Sequence, residues 1–221
     1  MKVGLISDVH ANYPALKAVL ADMPSVDRIV CAGDVVGYNP MPSECVTRIQ
    51  GIVSTTVQGN HDRTVETPDE YRLNNTAYAG LKYAQQALSD TQRQWLQNLP
   101  ETTTIADGEY LLVHSHPENR DEYVFPRGFP ELRPYLDDYS GIVLGHTHIQ
   151  HSATIDDRLI VNPGSVGQPR DGDPRAAYAI LDTDTNQAVL RRVSYNIDEV
   201  YHEIVVEDLP TETGERLFDG E

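Results

Sequence analysis

Apolar runs of four to six residues, each ended by a polar or glycine-containing segment, punctuate the chain: Lys2–Ile6, Arg28–Ala32, Ile52–Val57, Tyr110–Val113 and Gly141–Leu144. Runs this short and this rich in Val and Ile read as buried strands. Between the first three lie segments of helical period. Asn12–Met23 carries Leu16, Val19 and Leu20 on one face, with Asn12 as cap and Pro14 in its first turn, and Ser43–Gln50 is a short helix closed by Gly51. The βαβαβ order predicts parallel strands joined by right-handed crossovers. Helices are expected over Asn75–Leu88 and Thr91–Leu99, the second capped by Thr91, with Trp95, Leu96 and Leu99 forming a core-facing stripe.

From Thr102 the period changes to two, and Thr102–Ala106 and Glu109–Val113 pair around Asp107-Gly108. A polar and aromatic loop, His116–Arg127, leads to a helix over Phe129–Leu136. Short strands follow at Ser152–Ile155, Leu159–Val161, Ala176–Leu181 and Ala188–Val193, then a helix over Ile197–Val206. The acidic stretch Thr211–Glu221 is expected to be a loosely held tail. With no repeat and no linker, residues 1–221 read as one α/β domain.

Charge changes the expected surroundings of this domain rather than its fold. The 221 residues carry a net charge of −17. Lysine occurs only at Lys2, Lys17 and Lys82, and arginine supplies the other positive charges. Such a surface resembles that of proteins from salt-loving organisms, where salt screens self-repulsion. It argues against strong non-specific binding to nucleic acid or to anionic membranes. No stretch approaches a membrane span, and Met1–Ile6 goes straight into a strand, so a cytoplasmic protein is expected. Cys31 and Cys45 read as small buried hydrophobes. A homo-oligomer is compatible with the chain.

The candidate chemistry sits where the apolar runs end: Ser7-Asp8-Val9-His10, Gly33-Asp34, Gly59-Asn60-His61-Asp62, His114, and Gly145-His146-Thr147-His148. Strand ends are where open α/β sheets place their sites. Asp8 and His10, like His146 and His148, are two residues apart, a spacing that puts both side chains on one face of an extended segment. Asp, His and Asn are oxygen and nitrogen donors suited to Mn, Fe, Zn, Ni or Co. No cysteine joins them, which argues against a structural zinc site.

In content and order these clusters resemble the motifs of the calcineurin-like metallophosphoesterases, from Val3 to about Leu181. Gly37-Tyr38-Asn39-Pro40 and Asn162–Arg170 are similar to its small single-domain phosphodiesterase branch. The resemblance implies a four-layer α/β/β/α sandwich with the site between the two sheets. It also implies a phosphodiesterase that attacks its substrate with a hydroxide bridging two divalent metals. Carried over residue by residue, Asp8, His10, Asp34 and His148 hold one metal, and Asp34, Asn60, His114 and His146 hold the other. Asp34 then bridges. His61 is the catalytic histidine, and Asp62 would orient it by accepting its other ring proton. Two divalent ions less the charges of Asp8, Asp34 and a hydroxide leave one positive charge, which suits a phosphate ester.

Manganese is the expected metal, with nickel, iron or zinc also suited to the donors. The expected partner is a small phosphate-ester substrate. Phosphomonoesterases, including serine/threonine protein phosphatases, and dinucleoside polyphosphate hydrolases use the same centre. A non-catalytic protein-binding scaffold on this fold would show lost ligands, and none is lost here. Arg63, Arg170 and Arg175 suit either phosphate binding or surface ion pairs. His116 departs from the branch pattern, which has a small residue at its place.

Overall fold

A computed structural model describing residues 1–221 pairs the apolar runs into two five-stranded mixed sheets. In chain order the strands are β1 (Lys2–Ile6), β2 (Arg28–Cys31), β3 (Thr55–Thr56), β4 (Thr102–Ile105), β5 (Tyr110–Val113), β6 (Gly141–Val143), β7 (His151–Ile155), β8 (Arg158–Asn162), β9 (Ala176–Asp182) and β10 (Gln187–Val193). The first sheet runs β10-β9-β1-β2-β3 and the second β4-β5-β6-β8-β7. β1, β2 and β3 are mutually parallel, as the crossover argument requires, and so are β5, β6 and β8.

Period-two alternation decides the layering. Val3, Leu5, Val30, Ala179 and Leu181 of the first sheet meet Tyr110, Leu112, Val143, Leu159 and Val161 of the second in one core. The intervening residues Ile6, Cys31, Tyr178 and Ile180 point the other way. They pack on Leu16 and Val19 of α1 (Tyr13–Asp22), Val46 and Ile49 of α2 (Pro42–Ile52), and the helices that follow α3 (Asn60–Thr64), namely α4 (Asn75–Ala87) and α5 (Asp90–Gln97). On the far side, Val113, Ile142 and Ile160 pack on Phe129, Leu132 and Leu136. Both sheets are therefore apolar on both faces, and the chain is a four-layer sandwich. Each fully buried Leu or Ile is worth ~1.5–3 kcal/mol of transfer free energy.

Local chemistry explains where the elements differ from expectation. The outer layer over the second sheet is a 3₁₀ segment, Pro126–Leu136, rather than an α-helix, because Pro130 and Pro134 have no amide to give an α ladder. The third strand shrinks to Thr55–Thr56, since α2 continues through Ile52 with Val53 N bonded to Ile49 O. α5 is capped by Ser89, not Thr91: Ser89 and Gln92 exchange backbone-to-side-chain bonds in a capping box.

The C-terminal stretch corrects the expectation of a loose tail. α6 (Ile197–Val206) is followed by α7 (Thr211–Asp219), which buries Thr213, Gly214 and Leu217. Leu217 completes a cluster with Val200, Ile204 and Leu209. Gly220, at φ 68°, ends α7 in the left-handed cap that glycine favours. Its carbonyl accepts a bond from Gly172 N at 3.0 Å, tying the chain's end to the loop after Arg170. No helix is long and apolar enough to cross a membrane.

Candidate metal centre

The loops at the carboxyl ends of five parallel strands carry the candidate residues into one cleft between the sheets. Asp8 and His10 follow β1, Asp34 follows β2, Asn60, His61 and Asp62 open α3 after β3, His114 follows β5, and His146 and His148 follow β6. All nine are buried. The pairs two residues apart converge for a different reason from the one expected. Asp8, His10, Asp34, His146 and His148 have φ of 51°, 45°, 53°, 69° and 59°, left-handed rather than extended. Such backbone costs about 1–3 kcal/mol per residue and persists where surrounding structure imposes it, commonly at functional sites. Space for the turns comes from glycine: a Cβ on Gly59 would lie 2.0 Å from Asp34 Oδ1.

Three overlapping clusters result: Asp8, His10 and His148; Asp34, His114 and His146; and, joining them, His10, Asp34 and His61. His148 Nε2 is 3.3 Å from Asp8 Oδ1 and 3.0 Å from His10 Nε2. Asp34 Oδ2 lies between the clusters, 3.6 Å from His10 Nε2 and 3.4 Å from His114 Nε2. Asn60 Oδ1 is 3.1 Å from the same His114 nitrogen. The centre thus brings together all seven residues that the sequence marks as ligands.

The hydrogen bonds behind these atoms fix which lone pairs face inward. Nδ1 of His10 donates to Val36 O at 3.1 Å, that of His114 to Ala32 O at 2.7 Å and that of His148 to Gln168 O at 2.5 Å. In a neutral ring each Nε2 is then an acceptor. His146 is turned the other way, with Nε2 donating to Asp121 O at 3.0 Å, so its acceptor is Nδ1. Asn60 Nδ2 donates to the Tyr71 hydroxyl at 2.6 Å, which aims its Oδ1 at the centre. Asp8 Oδ1 is buried without any donor. Acceptors crowded on one another repel unless a cation lies between them, so the residues fit divalent metal.

Electrostatics agree. Burial disfavours the Asp34 carboxylate, but the His114 and His61 rings hold its pKa well below the usual carboxylate range. Burial likewise opposes protonation of His114, and Asp34 overrides it, raising that ring to about 10. A proton there occupies the place of a cation. Burial, followed by the His114 charge, lowers His146 to about 4.

His61 stands within ligand reach of His10 and Asp34, and burial lowers its pKa to about 4. Its Nδ1 has no partner, and Gly37 packs so closely on it that a Cβ there would lie 2.2 Å away. This corrects the role expected of Asp62. Its carboxylate accepts from the backbone N–H groups of Val35 (2.8 Å), Val36 (3.3 Å) and Gly59 (3.1 Å), and not from His61. Asp62 therefore clamps the Asp34 loop to the start of α3, a positioning role.

Sequence reasoning gave no role to three tyrosines at the rim, of which Tyr38 appeared only within the branch motif Gly37-Tyr38-Asn39-Pro40. The Tyr38 ring lies 4.8 Å from His10 and 4.7 Å from His61, Tyr71 holds Asn60, and Tyr123 stacks on His146 at 4.1 Å. Tyr71 and Tyr123 lie far from any strand end, so spacing carried no signal for them. Arg63 pairs with Asp121 at 2.5 Å and Arg175 with Asp173 at 2.6 Å. The His116 ring packs edge-on to Tyr135, and its Nδ1 accepts from Glu118 N and Asn119 N.

A fold of this layering with Asp, Asn and His at strand ends defines a metallophosphoesterase, and comparison with known proteins agrees. Residues 1–186 match the calcineurin-like phosphoesterase superfamily domain, and the chain belongs to that superfamily, whose members are phosphoesterases using divalent metals. An uncharacterized protein of Methanocaldococcus jannaschii is 34% identical, covering 99% of this chain and 98% of its own. The phosphodiesterase YfcE of Escherichia coli is 27% identical over 89% of this chain and 99% of its own. The crystal structure of a metallophosphoesterase from Sphaerobacter thermophilus superposes with a TM-score of 0.89 at 32% identity, covering both chains completely.

Proposed function

We propose that the protein is a phosphodiesterase acting on small phosphate esters at a dinuclear centre. The observation that carries this reading is the convergence of seven acceptor atoms from both sheets, with the Asp34 oxygen shared between two clusters. Asp8, His10, Asp34 and His148 would hold one ion, and Asp34, Asn60, His114 and His146 the other. When bound, the ions supply Lewis acidity toward the phosphoryl oxygens and a water of lowered pKa. Manganese suits these oxygen and nitrogen donors, as do nickel, iron and zinc.

The chain's own residues do the rest. Tyr71 keeps Asn60 oriented, and Asp62 holds the Asp34 loop in register with α3. His61 is the general acid for the leaving oxygen, at the edge of the centre. An anionic ester beside its ring favours imidazolium and so offsets the depression that burial causes.

The test is turnover of bis-p-nitrophenyl phosphate by protein reconstituted with Mn²⁺. Activity lost on chelation and regained on adding metal is expected. Absence of turnover with manganese, nickel, iron and zinc, or preference for p-nitrophenyl phosphate or a dinucleoside tetraphosphate over the diester, overturns the reading.

A further inference from the structure

Two half-buried arginines, Arg170 close to the centre and Arg216 on a helix tied to the same loop, make no ion pair. Among the half-buried arginines, Arg63, Arg93, Arg133 and Arg192 make ion pairs, whereas Arg158, Arg170 and Arg216 do not, and of these three Arg170 packs on a tyrosine beside the candidate ligands. A half-buried guanidinium without a carboxylate partner keeps donors free for an anion.

Their placement is fixed from both ends. Arg170 N bonds to His148 O at 3.2 Å, so the residue is attached to a candidate ligand loop. Its guanidinium lies 5.5 Å from the centre of the Tyr38 ring, whose neighbours are His10 and His61. Gln168 Oε1 accepts from Arg170 Nε at 3.2 Å and Nη2 at 2.7 Å, while the buried Gln168 Nε2 has no acceptor. Arg216 arrives from α7, whose end is bonded to the loop beyond Arg170 through Gly172 N and Gly220 O. Burial and then the Arg170 charge lower the Arg216 pKa, so the two cations feel each other. The charges that oppose this effect are those of Tyr38 and Glu221, and neither makes an ion pair with Arg216.

We propose that Arg170 and Arg216 form a subsite for a second phosphate of the substrate, one that is not cleaved. A terminal phosphate carries about −1.5 to −2 charges at neutral pH, and guanidinium forks match its oxygens two at a time. The inference rests on the phosphodiesterase reading for the position of the scissile group, and it narrows the substrate class to diesters bearing a further phosphate.

Two substrates that release the same nitrophenolate test it: thymidine 5′-(p-nitrophenyl phosphate) and its 3′-phosphorylated counterpart. The manganese-loaded wild type is expected to favour the second by roughly tenfold or more in kcat/KM, chiefly through KM. In Arg216→Ala and Arg170→Lys that ratio falls toward one, and in Arg216→Gln, which retains most of the packing, it falls likewise. Arg48→Ala, which removes an exposed charge on α2, keeps the wild-type ratio. A wild-type ratio near one, or a ratio retained in the Arg216 and Arg170 variants, overturns the subsite. Calorimetry with thymidine 3′,5′-bisphosphate against thymidine 5′-phosphate reads the same preference without turnover. Selective binding without hydrolysis of either ester sinks the phosphodiesterase reading and leaves the subsite standing, and hydrolysis without selectivity does the reverse.

Discussion

An imidazole that donates its Nδ1–H to a backbone carbonyl has a single lone pair left, on Nε2, and its direction is set by the backbone behind it. His10, His114 and His148 are all arranged this way, on Val36, Ala32 and Gln168. Removing Asp34 therefore should disturb more than one ion. Asp34→Asn is expected to lower occupancy of both sites, whereas His148→Ala lowers mainly one, as measured by metal analysis of the purified variants. Full occupancy with wild-type activity in Asp34→Asn would rule out a bridging role. His61 separates differently, because the proposed ligand sets are complete without it. His61→Ala should keep both metals and lose little activity on a nitrophenyl ester, whose leaving group departs as the anion. With an alkyl or ribose leaving group the loss should approach ~10²–10⁴-fold in kcat/KM. Equal losses on both ester types would assign the ring to holding the phosphoryl group instead.

Much at the level of elements was legible because it depends on short-range pattern. Lys2–Ile6 and Ala176–Leu181 read as short strands and form them, their alternate residues facing the inter-sheet core and the helices. What escaped the pattern depended on backbone choices that side-chain periodicity does not encode. The left-handed φ values at Asp8 and His146 are imposed by close approach of neighbouring loops, and Asp62 turns to three amides that only the folded Asp34 loop presents. The C-terminal helix was readable in principle from Thr213 and Leu217 four residues apart and from Gly220 as cap, but the acidic composition of the stretch masked it. Its burial gives a prediction. Leu217→Ala should cost about 2–4 kcal/mol, because Val200, Ile204 and Leu209 lose their common neighbour. Thermal denaturation should show the midpoint falling by about 5–10 °C. An unchanged midpoint would mean that α7 contributes nothing to the fold.

The whole molecule carries an excess of 34 acidic over 17 basic residues. Ion pairs such as Arg133 with Asp137 and Asp156, or Arg191 with Asp22, are exposed and worth about 0–1 kcal/mol each. Salt screens these favourable pairs, but it also screens the repulsion among the unpaired carboxylates, which are more numerous. The second effect should win. The thermal midpoint is expected to rise between dilute buffer and molar KCl by more than a near-neutral protein gains, and a flat or falling midpoint would remove the high-salt reading of the surface.

Ribosomes deliver chains from the amino end, and the first metal loop is finished late. Ser165 Oγ, Gly167 N and Val166 N bond to the carbonyls of Asp8 and Ser7, and β9 pairs with β1. A nascent chain that has already presented all seven candidate donors, the last at His148, still lacks the residues that bond to the Ser7 and Asp8 carbonyls. Until Ala176–Asp182 emerges, β1 lacks its antiparallel neighbour, so the Asp8 loop takes its final form only after every other candidate donor has been synthesised.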